Sequence, residues 1–257
     1  MIAFGPVPSR RLGHSVGINN IPPKVCTYTC VYCQLGKAVK VQTRRQAFYS
    51  TAEVVEATKK LLSDLPRDTS VDYLTLVPDG EPTLDINIGE TIRELRTLGY
   101  PVAVITNSSL LWDEKVREAL YQADWVSTKL DAGDEKVWRR VDAPHRALQY
   151  NAMLDGLRTF SRHYHGVHVT ETMMIDGYND TPENLKKIAG ILNTLSVDIS
   201  YVSIPTRPPA AKKIKPAGEK ALVAAFDEFS KVVPRVEYLI GYEGNDFGYT
   251  GNLEEDI

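Results

Sequence analysis

Short runs rich in β-branched and aromatic residues recur along the chain, each followed by a longer amphipathic stretch, and this alternation constrains the fold more than any other feature. Strand, helix and strand in that order read as a parallel pair joined by a crossover, so a series of such units builds a parallel sheet covered by helices. Six units are legible in the 257 residues. The first strand is expected over 13–19 (GHSVGIN), with a helix over 51–62 whose Ser50 and Glu53 have capping-box spacing. Further strands are expected over 72–77, 101–106, 124–130, 167–175 and 198–204. The intervening helices fall near 86–98, from Asp113 onward, in a region running to 164, and after Thr181, an N-cap followed by Pro182. A helix over 218–232 completes the sixth unit, and VEYLI (236–240) is a candidate extra strand. Six units are fewer than the eight of a closed barrel, and they define an α/β fold of the partial (β/α)6 TIM-type barrel kind with a wide opening. No low-complexity linker divides the series, so residues 1–257 read as one domain, with 236–257 as a C-terminal extension of the barrel.

In parallel folds of this kind the loops after the strands form the functional face. A cysteine loop follows the first strand, PDGEPTL (78–84) the second, and Asn107, Ser108 and Ser109 the third. The fourth strand ends in Ser127, Lys129 and Asp131, the fifth carries Glu171 and Thr172, and the sixth runs into PTRPP (205–209). These residues are expected to converge on one rim.

Composition removes several classes. With 43% hydrophobic and 25% charged residues the chain is of ordinary globular type, and no apolar run approaches the roughly 18 residues that span a bilayer. The start, MIAFGPVPSRRLGHSVG, has no long apolar core behind a basic segment, so a cytoplasmic location is expected. A net charge of −3 argues against indiscriminate nucleic-acid binding while leaving room for a local basic patch.

All three cysteines fall within KVCTYTCVYCQLG (24–36). Structural cysteines scatter along a sequence, whereas a ligand loop needs its thiolates close together. The spacing Cys26-x-x-x-Cys30-x-x-Cys33 offers three soft ligands, suited to zinc or to an iron–sulfur cluster. A structural zinc site is normally closed by four protein ligands, and the nearest histidine, His14, precedes Cys26 by twelve residues on the first expected strand. A four-iron cluster held by three cysteines leaves one iron open for a ligand and adds redox activity, and it is the preferred reading.

The same motif, with the aromatic Tyr32 just before the last cysteine, resembles the radical S-adenosylmethionine superfamily. The resemblance implies a [4Fe-4S] cluster on Cys26, Cys30 and Cys33, with the amino and carboxylate groups of S-adenosyl-L-methionine chelating the fourth iron. Gly80-Glu81-Pro82 is similar to the family's glycine-glutamate-proline motif, which receives the ligand's amino group; Asp79 stands where a second glycine often occurs. Ser127-x-Lys129 resembles the position whose polar side chains meet the ribose and carboxylate. Asn107, Ser108, Asp131 and Thr172 join this set as neighbours on the rim. GPVPSRR, INNIPPKVCTYTCVYCQLG, KLDAGDEKVWRRVDAP, PTRPP and GYEGNDFGYTGN further resemble a group related to wyosine-type tRNA modification enzymes, though the additional N-terminal cysteines of the tRNA enzymes have no counterpart. The implied reaction is reductive cleavage of S-adenosylmethionine to a 5′-deoxyadenosyl radical that abstracts hydrogen from an unidentified substrate, RNA among the candidates, with electrons from an external donor such as flavodoxin or ferredoxin. The alternative from another class is a zinc-stabilised RNA-binding module without catalysis.

Several residues also suit plainer roles. Lys129 and Asp131 fit a surface ion pair, and Asn107 and Ser108 fit a helix cap. His163, His165 and His168 straddle a helix end and a strand start, so no metal role is assigned to them. Met173 and Met174 are expected in the core. Arg10-Arg11, Arg44-Arg45, Arg139-Arg140 and Lys212-Lys213-Ile214-Lys215 read as solvated faces rather than a phosphate-binding rim.

Overall fold

The computed structural model describes residues 1–206, 209–211 and 213–240. Strands β1 (Ala3–Ser9) and β2 (Gly13–Ile18) form an antiparallel hairpin, and a short parallel ribbon, β3 (Val25–Cys26) with β4 (Lys40–Val41), brackets the cysteine loop. Helix α1 (Thr51–Asp64) follows, opened by the expected capping box: Ser50 Oγ accepts from Glu53 N–H at 3.2 Å and Glu53 Oε2 accepts from Ser50 N–H at 2.7 Å. The chain then alternates through β5 (Tyr73–Leu76), α2 (Ile88–Arg96), β6 (Val102–Thr106), α3 (Glu114–Leu120) and β7 (Trp125–Lys129). Two helices, α4 (Glu135–Val141) and α5 (Tyr150–His163), precede β8 (Val167–Met173). Helix α6 (Pro182–Leu192), β9 (Ile199–Ser203), α7 (Glu219–Ser230) and β10 (Val236–Leu239) end the described chain.

The main sheet runs β1-β2-β5-β6-β7-β8-β9-β10, and every neighbouring pair after the first is parallel. This is the partial (β/α)6 TIM-type barrel, with β10 as a further parallel strand beside β9. Residues 241–257, the remainder of the expected C-terminal extension and the place of GYEGNDFGYTGN, lie outside the described residues, as do Arg207 and Pro208 of PTRPP and Lys212.

Strand alternation sorts the core into two layers. Leu74, Leu76, Val102, Val104 and Val126 face the helices, whereas Ala103, Trp125, Val169, Tyr201 and Leu239 point into the barrel and pack on Leu12 of the β1–β2 turn. That hairpin turn enters from the N-terminal ends of the strands and leaves the opposite mouth to the functional loops. Three features depart from the sequence expectation. Strand β1 carries Gly5, Pro6 and Pro8, residues that demote a strand by pattern but are tolerated on this edge. The β3–β4 ribbon is too short to register as periodicity. The helical region before 164 splits in two because Pro144 blocks continuation beyond Asp142, and Asp134 caps the first piece by accepting from Val137 N–H at 3.0 Å.

Candidate metal centre

The cysteine loop crosses the C-terminal mouth of the barrel and is tied down on two sides. On one side its backbone bonds to the end of α4: Val31 N–H donates to Val141 O at 2.9 Å, Thr29 N–H to Asp142 O at 3.1 Å, and His145 N–H to Thr27 O at 2.9 Å. Carbonyls that the end of α4 leaves without intrahelical partners thus find donors in the loop. On the other side the loop meets the Gly80-Glu81-Pro82 turn: Glu81 N–H donates to Val25 O at 3.1 Å, and Lys24 N–H to Asp79 O at 2.6 Å. Gly80 lies so close to the Val25 carbonyl that a Cβ there would collide with it, which accounts for glycine at this position.

Cys26, Cys30 and Cys33 are free, half-buried thiols on this loop. Burial, then the nearby Glu81, pushes the Cys26 thiol up to about 11, and burial with Asp142 lifts Cys30 well above its ordinary value. Such thiols become thiolates when a cation coordinates them. Among the described residues no three His, Cys, Asp or Glu side chains converge tightly enough for a single metal ion. Three soft ligands on one anchored loop are a donor set that would hold a four-iron cluster with one iron left open.

Around the thiols stand the ends of β5, β6 and β7. Glu81 is only 1% exposed. Its Oε1 accepts from Thr83 N–H at 3.1 Å, Thr83 Oγ1 at 2.5 Å and Thr106 Oγ1 at 2.6 Å, and its Oε2 accepts from Asn107 N–H at 2.8 Å. Burial raises its carboxyl even though all four bonds pull the other way. The carboxylate expected to meet a ligand is thus largely committed to protein donors, with Oε2 retaining room for another. Asn107 reaches from Glu81 into the cysteine loop, donating from Nδ2 to Thr27 Oγ1 at 2.8 Å and lying 3.6 Å from Cys26 Sγ. Ser108, with φ of 69°, accepts on Oγ from Lys129 N–H at 2.8 Å. Neither residue caps α3, whose N-cap is Asp113.

Lys129 and Asp131 do not form a surface pair. Their charged groups lie 3.9 Å apart, with side chains 19% and 0% exposed. Burial pulls the Lys129 ammonium down, but Asp131 and Glu171 outweigh it and leave it above the ordinary lysine value. Its Nζ also lies 4.9 Å from the centroid of the Tyr32 ring, whose hydroxyl donates to Asp131. Ser127 is buried on the same face of β7, two residues below Lys129.

Thr172 belongs elsewhere. It sits on the face of β8 opposite Glu171, fully buried, with its hydroxyl donated to Leu130 O at 2.8 Å. His168, on that same hidden face, bonds Thr128 Oγ1 and Ser196 O, while His163 caps a helix end, so no imidazole cluster forms. Met174 is in the core as expected, whereas Met173 packs beside Tyr32, Val141 and Ile175.

Two groups at the site escaped the sequence reading: Asp142 had no assigned role, and Arg11, read as part of a solvated face, is turned into the barrel. Asp142 lies 3.5 Å from Cys30 Sγ and 3.4 Å from the Tyr32 hydroxyl; burial and the neighbouring Asp131 push its carboxyl well up. Arg11, from the hairpin turn, bonds Glu171 Oε2 at 2.5 Å inside the barrel. Burial would raise Glu171, but Arg11 and Lys129 hold its carboxyl below the usual value. A line of charge therefore runs from the closed end of the barrel to Lys129 at its mouth. Asp142 sits in the quoted KLDAGDEKVWRRVDAP, but its partner Cys30 is 112 residues away, a separation that local pattern does not bridge.

Residues 20–189 match the Radical SAM superfamily. The chain belongs to this superfamily. As a radical SAM protein it is an iron–sulfur enzyme of a class that cleaves S-adenosylmethionine by radical chemistry. It is 42% identical over 258 residues to a UPF0026 protein of Methanocaldococcus jannaschii, covering 100% of this chain and 80% of that protein. A GTPase Obg of Brachyspira hyodysenteriae is 34% identical over 223 residues, which are 86% of this chain and 32% of that protein. In fold it resembles TYW1, solved with a lysine-pyruvate adduct bound, with a TM-score of 0.61 at 14% identity over 87% of this chain and 76% of that one. No described helix is long and apolar enough to cross a membrane.

Proposed function

We propose that this radical SAM enzyme holds a [4Fe-4S] cluster on Cys26, Cys30 and Cys33 and binds S-adenosyl-L-methionine across the barrel mouth. The observation that carries the reading is the anchoring of a three-thiol loop to both the Gly80-Glu81-Pro82 turn and Asn107, which joins the cysteines to the ends of β5 and β6. When bound, the cluster supplies the electron that cleaves the sulfonium S–C5′ bond to methionine and a 5′-deoxyadenosyl radical. The protein's part is positioning. Lys129, held charged by Asp131 and Glu171, faces the ligand carboxylate, and the turn at Gly80–Pro82 meets the amino group. Ser127 on β7 and the aromatic ring of Tyr32 complete the ligand's surroundings. Asn107, Ser108 and Asp131 fix those groups through the bonds described above, and Asp142 supports Tyr32 and Cys30. A substrate at the mouth would give up a hydrogen atom to that radical, and an external one-electron donor such as flavodoxin or ferredoxin would resupply the electron. Residues 1–257 act as one catalytic unit in a cytoplasmic setting.

The test is anaerobic reconstitution with iron and sulfide, followed by reduction with dithionite in the presence of S-adenosylmethionine. Formation of 5′-deoxyadenosine and methionine without added substrate is the expected result, through slow uncoupled cleavage. A reconstituted, reduced protein that binds the ligand and never yields 5′-deoxyadenosine contradicts the proposal.

A further inference from the structure

All 33 Asp and Glu residues lie at or beyond Glu53, whereas seven Lys and Arg residues precede it. In a chain whose overall charge is −3, this concentrates positive charge on the segment that holds the cysteines. The structure divides five of the seven. Arg11 is turned into the barrel toward Glu171, and Arg45 is occupied by the Thr83 and Asp85 carbonyls and by Asp113 at 3.7 Å. Lys37, Lys40 and Arg44 are exposed, and among the described residues no ion pair engages them. The same stretch exposes two aliphatic side chains, Val39 at 81% and Leu35 at 36%, within six residues of Cys33. The segment after β9 closes on this place, since Ala210 N–H donates to Cys33 O at 3.2 Å, and it brings the exposed Lys213 and Lys215. Asp176 bonds Lys215 O through its N–H, and Asp79 accepts from Lys24 N–H through its carbonyl.

We propose that this face, centred on Val39 and Leu35 and rimmed by Lys37, Lys40, Arg44, Lys213 and Lys215, docks an acidic one-electron donor protein of the flavodoxin or ferredoxin class. The inference rests on the function proposed above and adds the surface through which it is supplied. One electron passes from the reduced donor to the cluster behind Cys33; the donor is oxidised by one electron, the cluster is reduced by one, and no bond or proton moves. An apolar centre with a charged rim is the anatomy of a protein interface, and redox encounters use small ones, below about 1,200 Å² in total. A cationic rim speeds and orients encounter with an acidic partner. RNA fits this face less well. Single strands are held on exposed aromatic platforms, but Tyr28 and Tyr32 of the loop are buried, and aliphatic Val39 offers phosphate nothing.

The experiment compares the full-length reconstituted wild type with Lys37→Glu/Lys40→Glu and Val39→Ser, with visible absorption confirming equal cluster content. Formation of 5′-deoxyadenosine is driven in parallel by a reduced acidic flavodoxin and by dithionite. At low salt the flavodoxin-driven rate should fall roughly tenfold in the double variant and lose its salt dependence, as expected when steering is removed, while the dithionite rate stays unchanged. Val39→Ser should lower the flavodoxin-driven rate without changing its salt dependence. The proposal is overturned if the flavodoxin-driven rates match wild type, if no acidic flavodoxin or ferredoxin drives the wild type, or if the dithionite rate falls in step. It is also overturned if the variants lose RNA binding while donor-driven turnover is intact. Absence of cleavage with dithionite in the wild type would instead strike the function itself, and this docking face with it.

Discussion

Glu81 and Lys129 both stand at the ends of parallel strands and both read from sequence as ligand-binding residues, yet their surroundings give them different duties. Glu81 accepts four internal hydrogen bonds in a buried position, so Glu81→Ala would strand Thr83, Thr106 and Asn107 donors. The expected cost is about 2–4 kcal/mol of folding stability, read as a lower urea midpoint with an unchanged slope. A wild-type midpoint would show that these bonds contribute nothing. Lys129→Ala should leave iron content intact, since the residue ligates no iron, and weaken S-adenosylmethionine binding roughly tenfold to a hundredfold by removing one shielded, charge-assisted contact. Calorimetric titration of the anaerobic variant checks this, and unchanged affinity would remove Lys129 from the site. The cysteines and the order of strand-end residues were legible because each lies next to its own strand in sequence. Glu81's commitment was not, because its donors come from the end of another strand, β6, and from a turn that no periodicity describes. Thr172 was misplaced for a simpler reason: a shift of one residue along a strand changes the face.

Among the elements, the β1–β2 hairpin was only half visible in sequence, since its second strand was expected over 13–19 and its first was not, yet it connects far through the structure. Its turn delivers Arg11 to Glu171 across 160 residues of chain, with side chains 16% and 13% exposed. Removing one member of such a pair leaves the other charge buried, so Arg11→Ala or Glu171→Ala should each destabilise by about 3–5 kcal/mol. The double replacement Arg11→Met/Glu171→Leu should recover most of that loss. Thermal unfolding of the set decides it, and simple additivity of the two single losses would rule out coupling. On the other face of β8, burial lowers His168 from 6.5 to about 4. The unfolded chain therefore takes up a proton below pH 6.5 that the folded chain refuses until about pH 4, so this residue's stabilising effect is present above pH 6.5 and is lost as the pH falls through that window. His168→Gln should remove that slope from a urea-midpoint series between pH 7 and pH 4. Parallel profiles for the two proteins would contradict the assignment.

At the scale of the whole molecule, the strand–helix rhythm was readable because each unit is local, and six such units can close into only a few arrangements. What joins the units at the mouth was not readable: the loop from β2 lies on the end of α4, on the turn after β5 and on Asn107 after β6, contacts separated by up to 118 residues. The chemistry depends on that assembly, since three thiols on an unanchored loop would have no fixed relation to Lys129 or to the turn at Gly80. The claim that these thiols share a four-iron cluster is tested most directly by counting iron, zinc and acid-labile sulfide per chain after anaerobic reconstitution, in the wild type and in Cys30→Ala. The account predicts about four irons and four sulfides in the wild type and loss of that complement in the variant. One zinc per chain without sulfide, or an undiminished cluster in Cys30→Ala, would contradict it.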